Sequence, residues 1–154
     1  MAVRSGISGA KELERVLKRL PGKLAERELT SAARAGANVW RKAMKQAAPR
    51  DVDEPSFWSK KFGPLHKNIR TTRVKKTKAS VEMAVHTGRA FWGTWFEFGK
   101  IGQAPTHWAS SAIDVTAGAA LERVGKTLAR RLEKTAAELA GPLSKISKST
   151  RRRL

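Results

Sequence analysis

Cysteine is absent from the chain, so there is no disulfide framework, no thiolate metal site and no cysteine nucleophile. A reducing cytoplasm is permitted. Long apolar runs are missing too: none approaches the roughly 20 residues that span a bilayer. The first ten residues, Met1 to Ala10, lack the apolar centre of a signal peptide. Acidic residues are scarce, 13 against 32 lysines and arginines. The signatures of several enzyme classes are also lacking. There is no HExxH, Walker A, GxSxG or GxGxxG pattern, and His66, His86 and His107 share no metal-ligand spacing. No cofactor is expected, and an enzyme is the least supported class.

What is present is positive charge. The net charge is +19, with a pI near 11.3, which calls for an anionic setting such as nucleic acid, an acidic partner or anionic lipid. The excess is spread out: about +8 over residues 1–50, about +5 over 51–106 and about +6 over 107–154. A uniform excess suits a surface neutralised within an assembly as well as it suits direct contact with DNA. At 154 residues the chain fits one domain with a real core. We assign residues 1–142 to that domain, with a loop insertion at 50–64, and 143–154 to a basic tail.

The patterning predicts an α+β fold. Leu13, Val16, Leu17 and Leu20 fall at i, i+3, i+4, i+7 and mark a short amphipathic helix over 10–20, with Ser8 or Gly9 as its N-cap. Pro21-Gly22 breaks it. A second helix runs from Lys23 to Ala47 on a stripe of Leu29, Ala32, Ala33, Gly36, Trp40, Ala43, Met44 and Ala47, and Pro49 ends it. Residues 49–64 read as a long loop whose Phe57, Trp58 and Phe62 dock on the body or on a neighbouring subunit. Ile69–Val74 and Ala79–His86, β-branched and partly alternating, predict an antiparallel hairpin turning at Lys75-Lys76-Thr77-Lys78. A third strand or turn through Phe91–Phe98 would complete a small antiparallel sheet. A long C-terminal helix follows from Thr106 to Ala140, with Ile113, Ala117, Ala120, Leu121, Val124, Leu128, Leu132, Thr135 and Leu139 on its apolar face. Gly141-Pro142 stops it.

Phe91 to Trp108 is the densest segment. It holds three of the five tryptophans (Trp92, Trp95, Trp108) and three of the five phenylalanines (Phe91, Phe96, Phe98), with Glu97 between two rings. A carboxylate among aromatics could have a raised pKa and act as a general acid, but no titratable partner stands beside it. The stronger reading is structural: Glu97 accepts backbone hydrogen bonds or pairs with an arginine across an interface. The rings are not interleaved with Lys and Arg as a base-stacking surface would be, so packing in the core or at an interface is favoured. Phe57, Trp58, Trp92, Trp95, Phe96, Glu97, Phe98 and Trp108 are the expected interface residues. Lys145, Lys148, Arg151, Arg152 and Arg153 are candidates to meet DNA or an acidic partner. Asp51, Asp53 and Glu54 form either a weak cation site or a solvated acidic loop pairing with Lys60 and Lys61; they lack the periodicity of a calcium loop.

The order of these features resembles a known family. After the amphipathic helices come Ala48-Pro49-Arg50-Asp51, then Gly63-Pro64-Leu65-His66-Lys67-Asn68-Ile69. After the hairpin come Phe96-Glu97-Phe98-Gly99 and Ala104-Pro105-Thr106-His107-Trp108. This arrangement, over residues 6–140, resembles the minor tail component, or tail-completion, family of long-tailed bacteriophages, which includes lambda Z-like proteins. Three departures stand out. Val52 to Phe62 separate two elements that the family keeps nearly contiguous, Asn68 stands where Ser is usual, and His107-Trp108 replaces Pro-Phe. The resemblance implies a non-enzymatic virion protein of the neck or tail, assembled in the host cytoplasm. It implies a homo-oligomeric, hexameric ring that completes or caps the tail and joins it to the DNA-filled head. Its partners would be the head-closure or adaptor ring and the tail terminator or tail tube, with genomic DNA in the lumen and no membrane. The alternative is a small non-specific nucleic-acid-binding protein.

Overall fold

The computed structural model describes residues 14, 15, 18, 22–50, 57–76 and 80–151, with side chains to residue 138. The elements in order are α1 (Gly22–Ala47), α2 (Phe57–Phe62), α3 (Leu65–Asn68), β1 (Arg70–Lys76), β2 (Val81–His86), α4 (Gly93–Phe98) and α5 (Trp108–Arg151). This is the α+β fold expected. The helix predicted over 10–20 lies largely outside the described residues. Glu14, Arg15 and Lys18 are helical, and Lys18 pairs with Glu14 at 2.8 Å.

Helix α1 packs along α5, and small residues make the contact. Ala25, Ala32, Gly36, Ala37 and Met44 are buried on α1; Ala120, Leu128, Leu132 and Thr135 are buried on α5. At the closest approach a Cβ on Gly36 would lie 2.5 Å from Val124 Cγ2 and 3.2 Å from the Ala120 carbonyl oxygen. A side chain there would have to displace Val124 and push on the α5 backbone. The predicted stripes hold with local exceptions. Ala47 is exposed and Ala48 is buried instead, because the helix ends there, where Ala48 N–H closes on the Met44 carbonyl at 2.8 Å. Ala117 is also exposed, and Leu121 only partly covered. With Trp40, Val81 and Met83 these residues line an apolar cavity of about 430 Å³ between α1, β2 and α5.

The hairpin pairs Arg70 with His86 through Lys76 with Val81, and its register shifts between Arg73 and Lys75. Lys75 and Lys76 belong to β1 rather than to the turn expected there. The extra residue, Val74, is left exposed, as a bulge on a free strand allows. Two strands alone are marginal in water; here the hairpin lies against α1.

Three expectations are corrected. Residues 49–64 are not one loop. Phe57–Phe62 is a helix, closed by Gly63 at φ +81° and by Asn68, whose Nδ2 donates to the carbonyls of Phe62, Gly63 and Pro64 at 3.0–3.2 Å. A serine at 68 could not span those three acceptors with one hydroxyl. Phe91–Phe98 is not a strand: Gly93, Thr94 and Trp95 N–H groups bond back to Ala90, Phe91 and Trp92, and α4 follows. The i, i+4 spacing of Phe91/Trp95 and Trp92/Phe96 suits a helix. Among the described residues the sheet therefore has two strands. Finally, α5 does not stop at Gly141-Pro142 but continues to Arg151. Proline removes one backbone donor, and the residues after it, Leu143 to Arg151, contain no further glycine or proline to end the helix.

Candidate assembly site

The aromatic segment and the α2 helix, 29 positions apart in sequence from Phe62 to Phe91, form one structure. Trp58 is its hub. Its ring lies edge-on to Phe57 (5.1 Å between centroids), Phe91 (4.9 Å) and Trp95 (6.5 Å), and stacks on Phe62 at 6.2 Å. Phe62 reaches Trp92 at 6.2 Å, and Phe91 touches both Trp92 and Trp95. Such offset and edge-to-face pairs add about 0.5–1.5 kcal/mol each beyond area burial. The expectation that Trp58 docks on the body or on a neighbour is resolved toward the body.

Under this layer the main core collects Met44, Ala48, Leu65, Ile69, Ala90, Trp92 and Trp108. Trp92 and Trp108, both expected at a subunit interface, are buried within the chain itself. Trp108 donates its indole N–H to the Gly93 carbonyl at 3.1 Å, so its one polar atom is satisfied inside. Gly93 is tightly packed there: a Cβ would fall 2.8 Å from Leu65 Cδ1 and 3.0 Å from Thr87 Cγ2, so those side chains would have to move. Trp95 and Phe96 are half-buried.

Glu97 is only 7% exposed and caps the start of α5. Its Oε2 accepts from Ala109 N–H at 2.7 Å. Its Oε1 accepts from Ser110 N–H at 3.1 Å and from the Ser110 hydroxyl at 2.6 Å. The first turn of a helix leaves its N–H groups without partners, and His107, just before it, does not cap with its side chain. A carboxylate from ten or more residues earlier does so instead. Burial alone would push the Glu97 carboxyl up. The hydrogen bonds from Ser110 and Ala109, with the nearby His107, outweigh that and hold it below the ordinary carboxylate range. The raised pKa that a general acid needs is therefore not present. Of the two structural roles expected, backbone capping is the one built.

The chain between Glu97 and α5 is shaped for this contact. Lys100 and Gln103 exchange backbone hydrogen bonds at 3.1 and 2.8 Å, and Thr106 donates N–H and hydroxyl to the Phe96 carbonyl. His107 takes φ +49°. At Gly99, φ is +81° and a Cβ would meet the Gln103 carbonyl at 2.9 Å, so the Glu-Phe-Gly order has a steric cause.

Three large apolar side chains of this region, Phe57 in the cluster and Phe98 and Ile101 in the chain that follows it, stay in solvent. Phe57 is 66% exposed and Phe98 73%, and Ile101, at the tip of the turn, is fully exposed. Lys61 lies over the Phe57 and Phe62 rings at 5.9 and 5.4 Å, and Lys100 over Trp95 at 5.1 Å. Sequence reasoning missed Ile101, Lys61 and Lys100. A lone isoleucine in a turn carries no periodicity, and a cation over a ring depends on where the ring ends up. Asp51, Asp53 and Glu54, Arg152 and Arg153 lie outside the described residues. Lys145, Lys148 and Arg151 are on the last turns of α5. Among the described residues no group of His, Asp and Glu could hold a metal ion, and no helix is long and apolar enough to cross a membrane.

Residues 11–99 match the family model described as "Bacteriophage HK97-gp10, putative tail-component". No curated protein and no solved structure matches significantly. The matched stretch ends at Gly99, after the Phe96-Glu97-Phe98 element, and α5 lies beyond it. The chain belongs to this HK97 gp10-like family of bacteriophage tail components, which implies a place in the virion.

Proposed function

We propose that this tail component is a structural ring protein of the phage neck, similar to lambda Z-like tail-completion proteins, that completes the tail and joins it to the DNA-filled head. A closed ring needs a heterologous interface, in which one patch of each subunit meets a different patch of the next. The observation that carries the reading is the rigid aromatic face. Trp58, Phe91 and Trp95 lock one another in place and Phe57 packs edge-on against Trp58, while Phe57, Phe98 at the end of α4 and Ile101 in the turn after it are exposed to solvent. Exposed apolar groups on a preorganised base are what interface hot spots require. Trp92, Trp108 and Glu97 serve this face indirectly by holding α4 and the start of α5 beneath it. A hexamer would match six-fold tail symmetry, and the cations of the last α5 turns and the residues beyond would face DNA or the acidic faces of adjacent rings.

The test is the mass of the free, full-length chain by mass photometry, together with its presence in purified virions. Phe98→Ser/Ile101→Ser should abolish the oligomer and virion incorporation, while the unfolding free energy changes by no more than an ordinary surface substitution, about 0.5 kcal/mol. A wild-type chain that stays monomeric and is absent from virions would overturn the reading. So would an unaltered ring in the double variant.

A further inference from the structure

We infer that the chain carries a binding cleft for the phosphodiester backbone of nucleic acid, built on α1, β1 and α5 and separate from both the aromatic face and the basic C-terminal residues. Lys23, Arg27 and Arg34 fall at i, i+4 and i+11 on α1, so they share one face of that helix. They line a cavity of about 570 Å³ together with Arg73 from β1 and Arg131 from α5. Five cations from three elements thus converge on one hollow, in which Glu26 is the one acidic lining residue. Arg131 is partly committed, since its Nε pairs with the buried Glu28. The balance remains positive after both carboxylates are counted.

The cleft does not end there. A second cavity of about 390 Å³ shares Arg27 and Arg131 and adds Arg130 and Lys134 from α5, against two carboxylates, Glu28 and Glu138, the latter 3.9 Å from Lys134, so the seven cations of the two cavities face three acids. The two make a continuous basic track rather than a pocket for one small anion. Lys23 to Arg34 spans about 16 Å of helix at 1.5 Å per residue, commensurate with several nucleotides at 3.4 Å per step along one strand. Five of the seven cations of the track are arginines (Arg27, Arg34, Arg73, Arg130, Arg131) and two are lysines (Lys23, Lys134), and guanidinium forks match phosphate oxygens two at a time.

 No aromatic ring lines either cavity, so bases have no platform on which to stack, and the contact is to the backbone, without sequence preference.

The experiment is binding of the full-length chain to a short labelled DNA duplex of mixed sequence, by fluorescence anisotropy across a salt series. Each lost phosphate contact lowers the log–log salt slope by about 1. Arg34→Gln/Arg73→Gln removes two exposed cleft cations that take no part in the Glu28 pair, and should lower the slope by about 2. Lys42→Gln/Lys67→Gln removes the same charge at exposed sites outside the cleft, and should leave the slope nearly unchanged. Equal slopes for the cleft variant and the wild type would overturn the inference. So would an equal drop in both variants, which would mean diffuse attraction. A cleft variant that keeps DNA binding but loses affinity for poly-glutamate would also overturn it, and would assign the cleft to an acidic protein segment. Lys23→Gln/Arg34→Gln provides a second cleft pair if the first variant has an altered Tm. Ring assembly does not enter the measurement.

Discussion

The two ends of the α1–α5 body each bury one carboxylate, and they use it differently. At the aromatic end Glu97 accepts from backbone N–H groups and a serine hydroxyl. At the other end Glu28, 3% exposed, accepts from Arg131, with Arg27 at 4.0 Å. Glu97 joins two consecutive stretches of chain, so it shapes a turn. Glu28 joins residues 103 positions apart, so it sets how two helices lie against each other. In a chain of net charge +19 a buried acid could be expected to take a cation. Glu97 does not, because the unpaired N–H groups at the start of α5 supply the same positive potential at fixed positions.

Substitutions separate the two roles. Glu97→Ala should have the largest effect, a loss of about 3 kcal/mol, since it strands the first-turn donors and removes charge-assisted hydrogen bonds. Glu97→Gln, which keeps an acceptor, should recover part of it. Urea unfolding of the two variants measures the difference; equal stability of Glu97→Ala and wild type would show that the cap contributes nothing. Glu28→Gln should cost less, about 1–2 kcal/mol, because Arg131 is nearly a third exposed and water can solvate it once the charge is gone. A cost above that of Glu97→Ala would reverse the ranking.

The smallest effect is in the acid limb. The folded-state pKa of Glu97 lies below its ordinary value of 4.5. Its contribution is therefore fully present above about pH 4.5 and is lost as pH falls through the lower, folded value. The Tm of the wild type should drop more steeply below pH 4.5 than that of Glu97→Gln. Parallel curves would show that the carboxylate is not held in its charged form.

The helices were legible because their signal is periodic. Ala32, Gly36 and Met44 on α1 and Leu128 and Leu132 on α5 face inward as their spacing requires. The hairpin was legible from its β-branched runs, but its bulge was not, since Val74 looks like any strand residue until its partner strand is placed. The short helices α2 and α4 fall where the sequence suggests a loop and a strand or turn. At six residues each they carry too few turns for a period to declare itself, and their aromatics suit either state. Of the expected site, Glu97 and the ring cluster were visible as composition. Which rings face inward was not.

Composition and order by themselves determined the fold class, the basic character, the lack of cysteine chemistry and the tail-component family. Those properties are carried by residue type and local spacing, which tertiary contacts do not alter. Only the tertiary structure decided that Trp92 and Trp108 turn inward while Phe57, Phe98 and Ile101 stay outside. It also decided that Glu97 caps a helix, and that Lys23, Arg34, Arg73 and Arg131 share one cleft. Each of these depends on which distant segments meet, and burial, capping and charge convergence are properties of that meeting rather than of any one segment.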